Sequence, residues 1–387
     1  MSALTSKQLM IARVFSRRFA ANYLSTLGFI GLAYWIVFDL SGFHRGAINA
    51  QWQFGMFDIA AVLHIRTLFD ALVGLYVVAL IPYYAAYPWL RSKASIFLQG
   101  LWFAILRLRR PQSRAKRAVH AFDAMRLPLR VGLTPATKQA GLALLLKFFF
   151  APLMINWCLN HLADMAGAVV QLIDGVRQGQ HGRALFDASL FWALFQCILF
   201  ADTLLFTLGY IVEVPALRNR IRSVDPTFFG WFVCVACYPP FNDFTGRFLQ
   251  WQSSDFPYFE NTAFHVIANV VLLIAMTLYS WASIALGFKA SNLTNRGIVS
   301  RGPYAVVRHP AYAAKNFAWW IGSLPAFSVW FASGDLHAAA YSVFAMAGWT
   351  TIYVLRALTE ERHLLMGQNG YAEYMQRVRW RFIPGVI

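Results

Sequence analysis

The feature that most constrains this chain of 387 residues is a succession of apolar runs, each close to twenty residues long. That is the length of helix needed to cross the roughly 30 Å hydrocarbon core of a bilayer. Eight such runs can be drawn, at about 21–40, 67–90, 142–160, 186–212, 227–249, 261–287, 312–332 and 338–357. The composition agrees: 58% of residues are hydrophobic and only 13% charged, against about a quarter charged in soluble domains. Phe (34), Tyr (16) and Trp (14) are abundant, as suits residues placed at membrane interfaces. These observations predict an all-α fold, a polytopic transmembrane helical bundle of about eight spans. They argue against a soluble helical protein with a very large core.

Two stretches depart from simple spans. The run at 227–249 is interrupted by Pro239–Pro240, and proline removes helix hydrogen bonds, so a broken helix packed in protein or lining a cavity is expected there. The segment 96–106 is too short to cross and reads as interfacial or re-entrant. The first run follows a basic stretch (Lys7, Arg13, Arg17, Arg18) and has no small-x-small cleavage site, so it reads as a retained anchor.

The loops give the orientation. Residues 91–138 hold eleven Lys/Arg and one acid, Asp123. Residues 213–226 carry Arg218, Arg220 and Arg222, and residues 288–311 carry Lys289, Arg296, Arg301 and Arg308 without an acid. The intervening loops have few basic residues and acids to match. Eight crossings put every basic loop on one side together with both termini, and the positive-inside rule makes that side cytoplasmic. The expected location is the plasma (inner) membrane, with the active site facing the cytoplasm. The net charge of +17 is thereby a matter of topology, and nucleic acid is not implied as a partner. Cys234 and Cys237 form a CxxC without a second pair. They read as packing residues, and no metal-ligand spacing emerges.

Two short motifs carry chemistry. "SRGPYAVVRHPAY" (300–312) places Tyr304, Arg308, His309, Pro310 and Tyr312 just before one apolar run. Pro310 suits the first turn of a helix, and a helix N-terminus beside an arginine favours an anion. "TEERHLL" (359–365) places Glu360 and Glu361 just after another run. Adjacent acids at a helix C-terminus oppose the macrodipole and need a cation: Arg356, Arg362 or a ligand ammonium. The short connection "ASGDLH" predicts an antiparallel hairpin of the two runs, which brings both motifs to one side. A pocket there would offer positive and negative groups together and fit a zwitterion such as an amino acid moiety. The bland alternative is an interface anchor plus an Arg356–Glu360 pair at i, i+4. The tail "GYAEYMQRVRWRFIPGVI" (370–387) is basic and amphipathic and is suited either to closing over that pocket or to lying on the membrane surface.

Gly302, Tyr304, Arg308, His309, Pro310 and Tyr312, then a hydrophobic hairpin, Glu360, Glu361 and Leu364, then Tyr371, Tyr374, Val378 and Pro384, together resemble the isoprenylcysteine carboxyl methyltransferase family and, in part, the phospholipid N-methyltransferases. The resemblance covers about 285–387. It implies an integral membrane enzyme that binds S-adenosylmethionine on the cytoplasmic side and takes a lipophilic small-molecule, lipid or lipidated acceptor from the bilayer. By position, Tyr304, Arg308, His309, Pro310, Tyr312, Tyr371 and Tyr374 would line the cofactor pocket, and Glu360 and Glu361 would hold the cofactor's amino acid end. No catalytic base is named, because displacement at a sulfonium methyl rests on positioning and desolvation. The sequence departs from the family after Tyr312 (Ala313, Ala314, Lys315, Asn316) and at Gly370–Tyr371. The end "VRWRFIPGVI" also resembles the membrane sterol reductases, which bind NADPH; Arg379 and Arg381 would then meet a phosphate.

Residues 1–260 form a set of transmembrane helices with no resemblance of their own, and 261–387 the methyltransferase-like module. Within the N-terminal and central runs, Asp202 and Asn269 are candidate substrate-cavity residues, since intramembrane polar groups are functional hypotheses by default. His161 and His265 are possible partners for the acids. A transporter would show an internal repeat and paired broken helices, and the sequence has neither. The oligomeric state is left open.

Overall fold

The computed structural model describes residues 16–48, 51–56, 59–109, 133–367 and 369–386. Lys7, Arg13 and most of the basic loop after position 109, including Asp123, lie outside the described residues, as does Ile387 at the end of the tail. Helices dominate: α1 Arg17–Trp35, extended by a π-turn to Leu40, α2 Ile65–Ala86, α3 Lys93–Arg109, α4 Pro135–Arg177, α5 Phe191–Ile211, α6 Phe228–Val235, α7 Phe241–Phe248, α8 Thr262–Leu286, α9 Pro310–Ser333, α10 Leu336–Leu365 and α11 Tyr371–Arg377. The strands are short, and Ser223–Val224 pairs antiparallel with Thr294–Asn295. Six helical segments are long and apolar enough to cross a membrane: Arg17–Leu40, Ile65–Ala86, Pro135–Arg177, Gly182–Ile211, Thr262–Lys289 and Leu336–Leu365. The chain is therefore an all-α, multi-pass membrane protein. Helix α9 has 24 residues but carries Lys315, Asn316, Gly322, Ser323 and Pro325, and it is not among the six.

The chain divides into two compact units. The first takes in residues up to 51 and 62–152, the second 52–61 and 153–387. In the first, α1 packs on α2 and α3. The buried Asn22 amide donates to the Leu90 carbonyl at 2.9 Å and accepts from the Ser92 amide at 2.9 Å, which fixes the turn between α2 and α3. Helix α3 runs 17 residues, longer than the 96–106 segment expected from the sequence. It meets α4 at Gly100, where a Cβ would lie 2.2 Å from Thr137 Oγ1.

In the second unit α8 is central and packs on α5 and α9. Its core is Phe191, Phe195, Leu272, Leu273 and Met276. Gly209 lets the end of α5 touch the backbone after α8, since a Cβ there would stand 1.9 Å from the Ala290 carbonyl oxygen. The turn between α9 and α10 is set by Gly334, left-handed at φ 73°, and by Asp335, whose carboxylate caps Ala338. The expected antiparallel hairpin is present: Trp320 Nε1 donates to Thr350 Oγ1 at 3.0 Å, and the Tyr312 and Tyr353 rings meet edge-on at 5.2 Å.

The run at 227–249 is two eight-residue helices, α6 and α7, separated at Pro239–Pro240. Its ends show its reach. Ser223 Oγ lies 2.9 Å from His363 Nε2, and the Phe248 carbonyl accepts from Tyr341 Oη at 3.2 Å. His363 and Tyr341 are about 33 Å apart along α10 at 1.5 Å per residue. The broken segment thus runs antiparallel to α10 over a bilayer's thickness.

Candidate functional site

The foot of the α9–α10 hairpin is closed by the chain's own tail. Pro310 starts α9, so Arg308 and His309 precede the helix and their amides are free to pair. Their amides donate to the Trp380 and Arg381 carbonyls, both at 2.9 Å. Buried Arg308 donates from Nη1 to the Val378 carbonyl at 2.9 Å and to the Arg379 carbonyl at 2.6 Å, and from Nε to Glu361 Oε1 at 2.7 Å. His309 Nε2 lies 3.2 Å from the same oxygen, and Arg381 Nη2 donates to Glu361 Oε2 at 2.9 Å. Glu361 is therefore a hub that three basic side chains surround. Arg381, expected at a phosphate in the reductase reading, is bound to it, and this contact raises the Arg381 pKa.

Glu360, one residue and roughly 100° earlier on the helix, faces elsewhere. The Tyr312 hydroxyl donates to Glu360, and His309 Nδ1 lies 3.8 Å from its other oxygen. The His309 and Tyr312 rings stack at 5.6 Å. Arg356 does not pair with Glu360. It is 2% exposed, lies over the rings of Tyr353, Tyr312 and Tyr238 at 4.8, 5.0 and 5.6 Å, and donates to Asn292 Oδ1 at 2.9 Å. No carboxylate lies within ion-pair distance of it among the described residues. Tyr210 and Tyr238 hydroxyls hold the Asn292 amide, each at 3.0 Å.

These groups enclose a cavity of about 170 Å³, room for roughly a dozen waters. Glu360, His309, Tyr312 and Tyr304 line it, as do Arg308, Arg356, Lys315 and Arg296. Tyr371 and Tyr374 of the tail complete the wall. The Tyr374 hydroxyl donates to the Tyr304 carbonyl at 2.8 Å, and burial pushes its phenol up to about 12. The tail expected either over the pocket or on the membrane surface is thus over the pocket.

The structure gathers Tyr304, Arg308, His309, Tyr312, Glu360, Tyr371 and Tyr374 around one cavity, with Pro310 as the first residue of the helix below. Glu361 is close but turned into the tail. Asp202 sits behind the wall: Tyr279 Oη donates to it at 2.6 Å and Ser283 donates to its other oxygen. Asn269 is elsewhere. Its amide donates to the Pro257 and His265 carbonyls, both at 2.9 Å, beside a His265–Asp187–Arg183 cluster with contacts of 2.9 and 3.0 Å. His161 meets Gln196 at 2.8 Å rather than an acid. The sequence reading missed Asn292, Arg296, Lys315 and the cavity role of Arg356. Helical spacing held a signal for the last, because Tyr353, Arg356, Glu360 and Leu364 share one face.

No known family model, no curated protein and no solved structure matches the chain.

Proposed function

We propose that the protein is an integral membrane methyltransferase that uses S-adenosylmethionine to methylate a lipophilic acceptor. The observation that carries this reading is the cavity with a buried cation and an acid on the same helix face. Arg356 has no carboxylate partner among the described residues, and a buried charge without a counter-ion is strongly unfavourable. An anionic group in the cavity relieves it, and Glu360, four residues on, takes an ammonium. The residues thus fit the carboxylate and amine of the cofactor's amino acid end. When bound, S-adenosylmethionine supplies an activated methyl group, and the chain's own residues orient it and exclude water. Tyr304, Tyr312, Tyr353, Tyr371 and Tyr374 give the aromatic wall that a sulfonium favours.

The orientation follows from charge. Lys289 and Arg296 line the cavity, Arg218, Arg222 and Arg301 are electrostatic neighbours of Lys289, and the basic tail closes the same end, so that end is cytoplasmic by the positive-inside rule. With α9 and the broken α6–α7 segment counted as crossings, the topology has eight spans, and both ends of the described chain lie on the cytoplasmic side of an inner membrane. The acceptor is a lipid or lipidated molecule because the membrane helices α5, α8, α9 and α10 wall the cavity.

One observation favours a second reading, an NADPH-dependent reductase. Lys289, which lines the cavity, has Arg222, Arg301 and Arg218 as electrostatic neighbours, a cluster suited to phosphate. Calorimetric titration of the detergent-purified protein with S-adenosylhomocysteine and, separately, NADPH tells them apart. Saturable binding of the first supports methyl transfer, and binding of NADPH alone replaces it with reduction.

A further inference from the structure

The inner end of the cavity carries a polar arrangement that cofactor binding does not use. Tyr279 and Ser283 on α8 line the cavity, as does Lys289 just beyond the end of that helix. Both hydroxyls are committed as donors to buried Asp202, Tyr279 at 2.6 Å and Ser283 in a short contact. Their oxygens are left as acceptors side by side. Lys315 Nζ lies 5.1 Å from the Tyr279 ring centroid, and has no ion pair among the described residues. Among the described residues, Lys315 on α9, His161 on α4 and Tyr304 are the charged or titratable groups facing Asp202 besides Tyr279; His161 is held by Gln196. A buried intramembrane carboxylate joined at 2.6 Å to a phenol that lines the cavity is placed to exchange a proton with it.

Resting on the methyltransferase reading, we propose that Tyr279 and Asp202 form a proton-accepting pair, and that the acceptor is a protic nucleophile, an alcohol, amine or thiol, rather than a carboxylate. A carboxylate acceptor brings no proton for the pair to take. As the acceptor atom bonds to the methyl carbon, the carbon–sulfur electron pair stays on sulfur. The acceptor's proton passes to the Tyr279 oxygen, Tyr279's own proton moves to Asp202, and Asp202 ends neutral. Tyr279 is the catalytic residue, and Asp202 positions and discharges it.

The test uses the purified full chain with methyl-labelled S-adenosylmethionine and four probes of one chain length: hexadecanol, hexadecylamine, hexadecanethiol and hexadecanoic acid. Label is expected in at least one protic probe. Tyr279→Phe and Asp202→Asn are each expected to lower transfer about 100-fold or more, with S-adenosylhomocysteine affinity within threefold of the parent. Asp202→Asn also shifts the pH–rate profile, and Asp202→Glu recovers part of the loss. Should Asp202→Asn fail to fold, Tyr279→Phe carries the test by itself. Transfer to hexadecanoic acid alone, protic transfer indifferent to Tyr279→Phe, or a protein that binds S-adenosylhomocysteine and methylates no protic probe would each overturn the proposal. Failure to bind S-adenosylhomocysteine at all overturns the methyltransferase reading and this inference with it.

Discussion

Removing the Glu361 carboxylate should unfasten the tail while leaving the helices in place. Arg308 and Glu361 are 7% and 6% exposed and 2.7 Å apart. Arg381 and His309 complete the ring of contacts at 2.9 and 3.2 Å. In Glu361→Ala the Arg308 guanidinium stays buried without its counter-ion, and breaking a buried pair in this way costs about 3–5 kcal/mol. At about 1.4 kcal/mol per decade, the equilibrium between docked and open tail moves roughly 10²- to 10³-fold or more toward open. The Arg308 and His309 amides, which donate to Trp380 and Arg381, report this directly. Hydrogen exchange read by mass spectrometry on peptides covering 304–312 and 371–382 should accelerate by at least 100-fold, while peptides from α8 exchange as before. Exchange within threefold of the parent in both tail peptides would show that the Glu361 hub does not hold the tail. Since the tail supplies Tyr371 and Tyr374 to the cavity wall, ligand affinity would also fall in Glu361→Ala. Glu360→Gln is therefore the cleaner probe of ligand contact.

Three further outcomes are expected. Gly209→Ala places a Cβ 1.9 Å from the Ala290 carbonyl oxygen, and overpacking of this kind costs about 1–3 kcal/mol; thermal unfolding in detergent should move down by several degrees, and an unchanged midpoint refutes the close approach. The Tyr374 phenol is held up to about 12, above the ordinary tyrosine value near 10. Its contribution is present in full below pH about 10 and is lost as pH rises through 12; in Tyr374→Phe the alkaline loss of stability should be smaller, and an identical alkaline limb in both proteins contradicts the burial argument. Asp187→Ala leaves His265, fully buried, without its 2.9 Å partner, and should cost about 1–3 kcal/mol, read as a lower unfolding midpoint; an unchanged midpoint would show that the pair adds nothing to the fold.

The helices and the hairpin foot were legible because apolar length, Pro310 at a helix start and the Gly334–Asp335 turn are local signals. Both motifs meeting at one cavity followed from that hairpin. The division of labour between Glu360 and Glu361 was also present, in the helical period, yet adjacent acids read as one charge until Tyr353, Arg356 and Glu360 are placed on a common face. The partners of Arg356 were not legible. An i, i+4 carboxylate is the local expectation, and here Asn292 and the rings of Tyr238 and Tyr312 from other elements, with Tyr353 of α10 itself, take its place. His265 finding Asp187, 78 residues away, and Asn269 serving the Pro257 turn rather than a cavity likewise depend on tertiary packing alone. The interruption at Pro239–Pro240 could be foreseen, but not that the broken segment runs alongside α10 from His363 to Tyr341.

The central claim is that one cavity binds the zwitterionic end of a sulfonium cofactor between Arg356 and Glu360. Its most direct test is a calorimetric titration of the purified protein and of Glu360→Gln with S-adenosylhomocysteine. Saturable binding to the parent, weakened at least tenfold in Glu360→Gln while tail exchange is unchanged, is the expected result. Equal affinity in the two proteins, or binding of NADPH and not of S-adenosylhomocysteine, contradicts it.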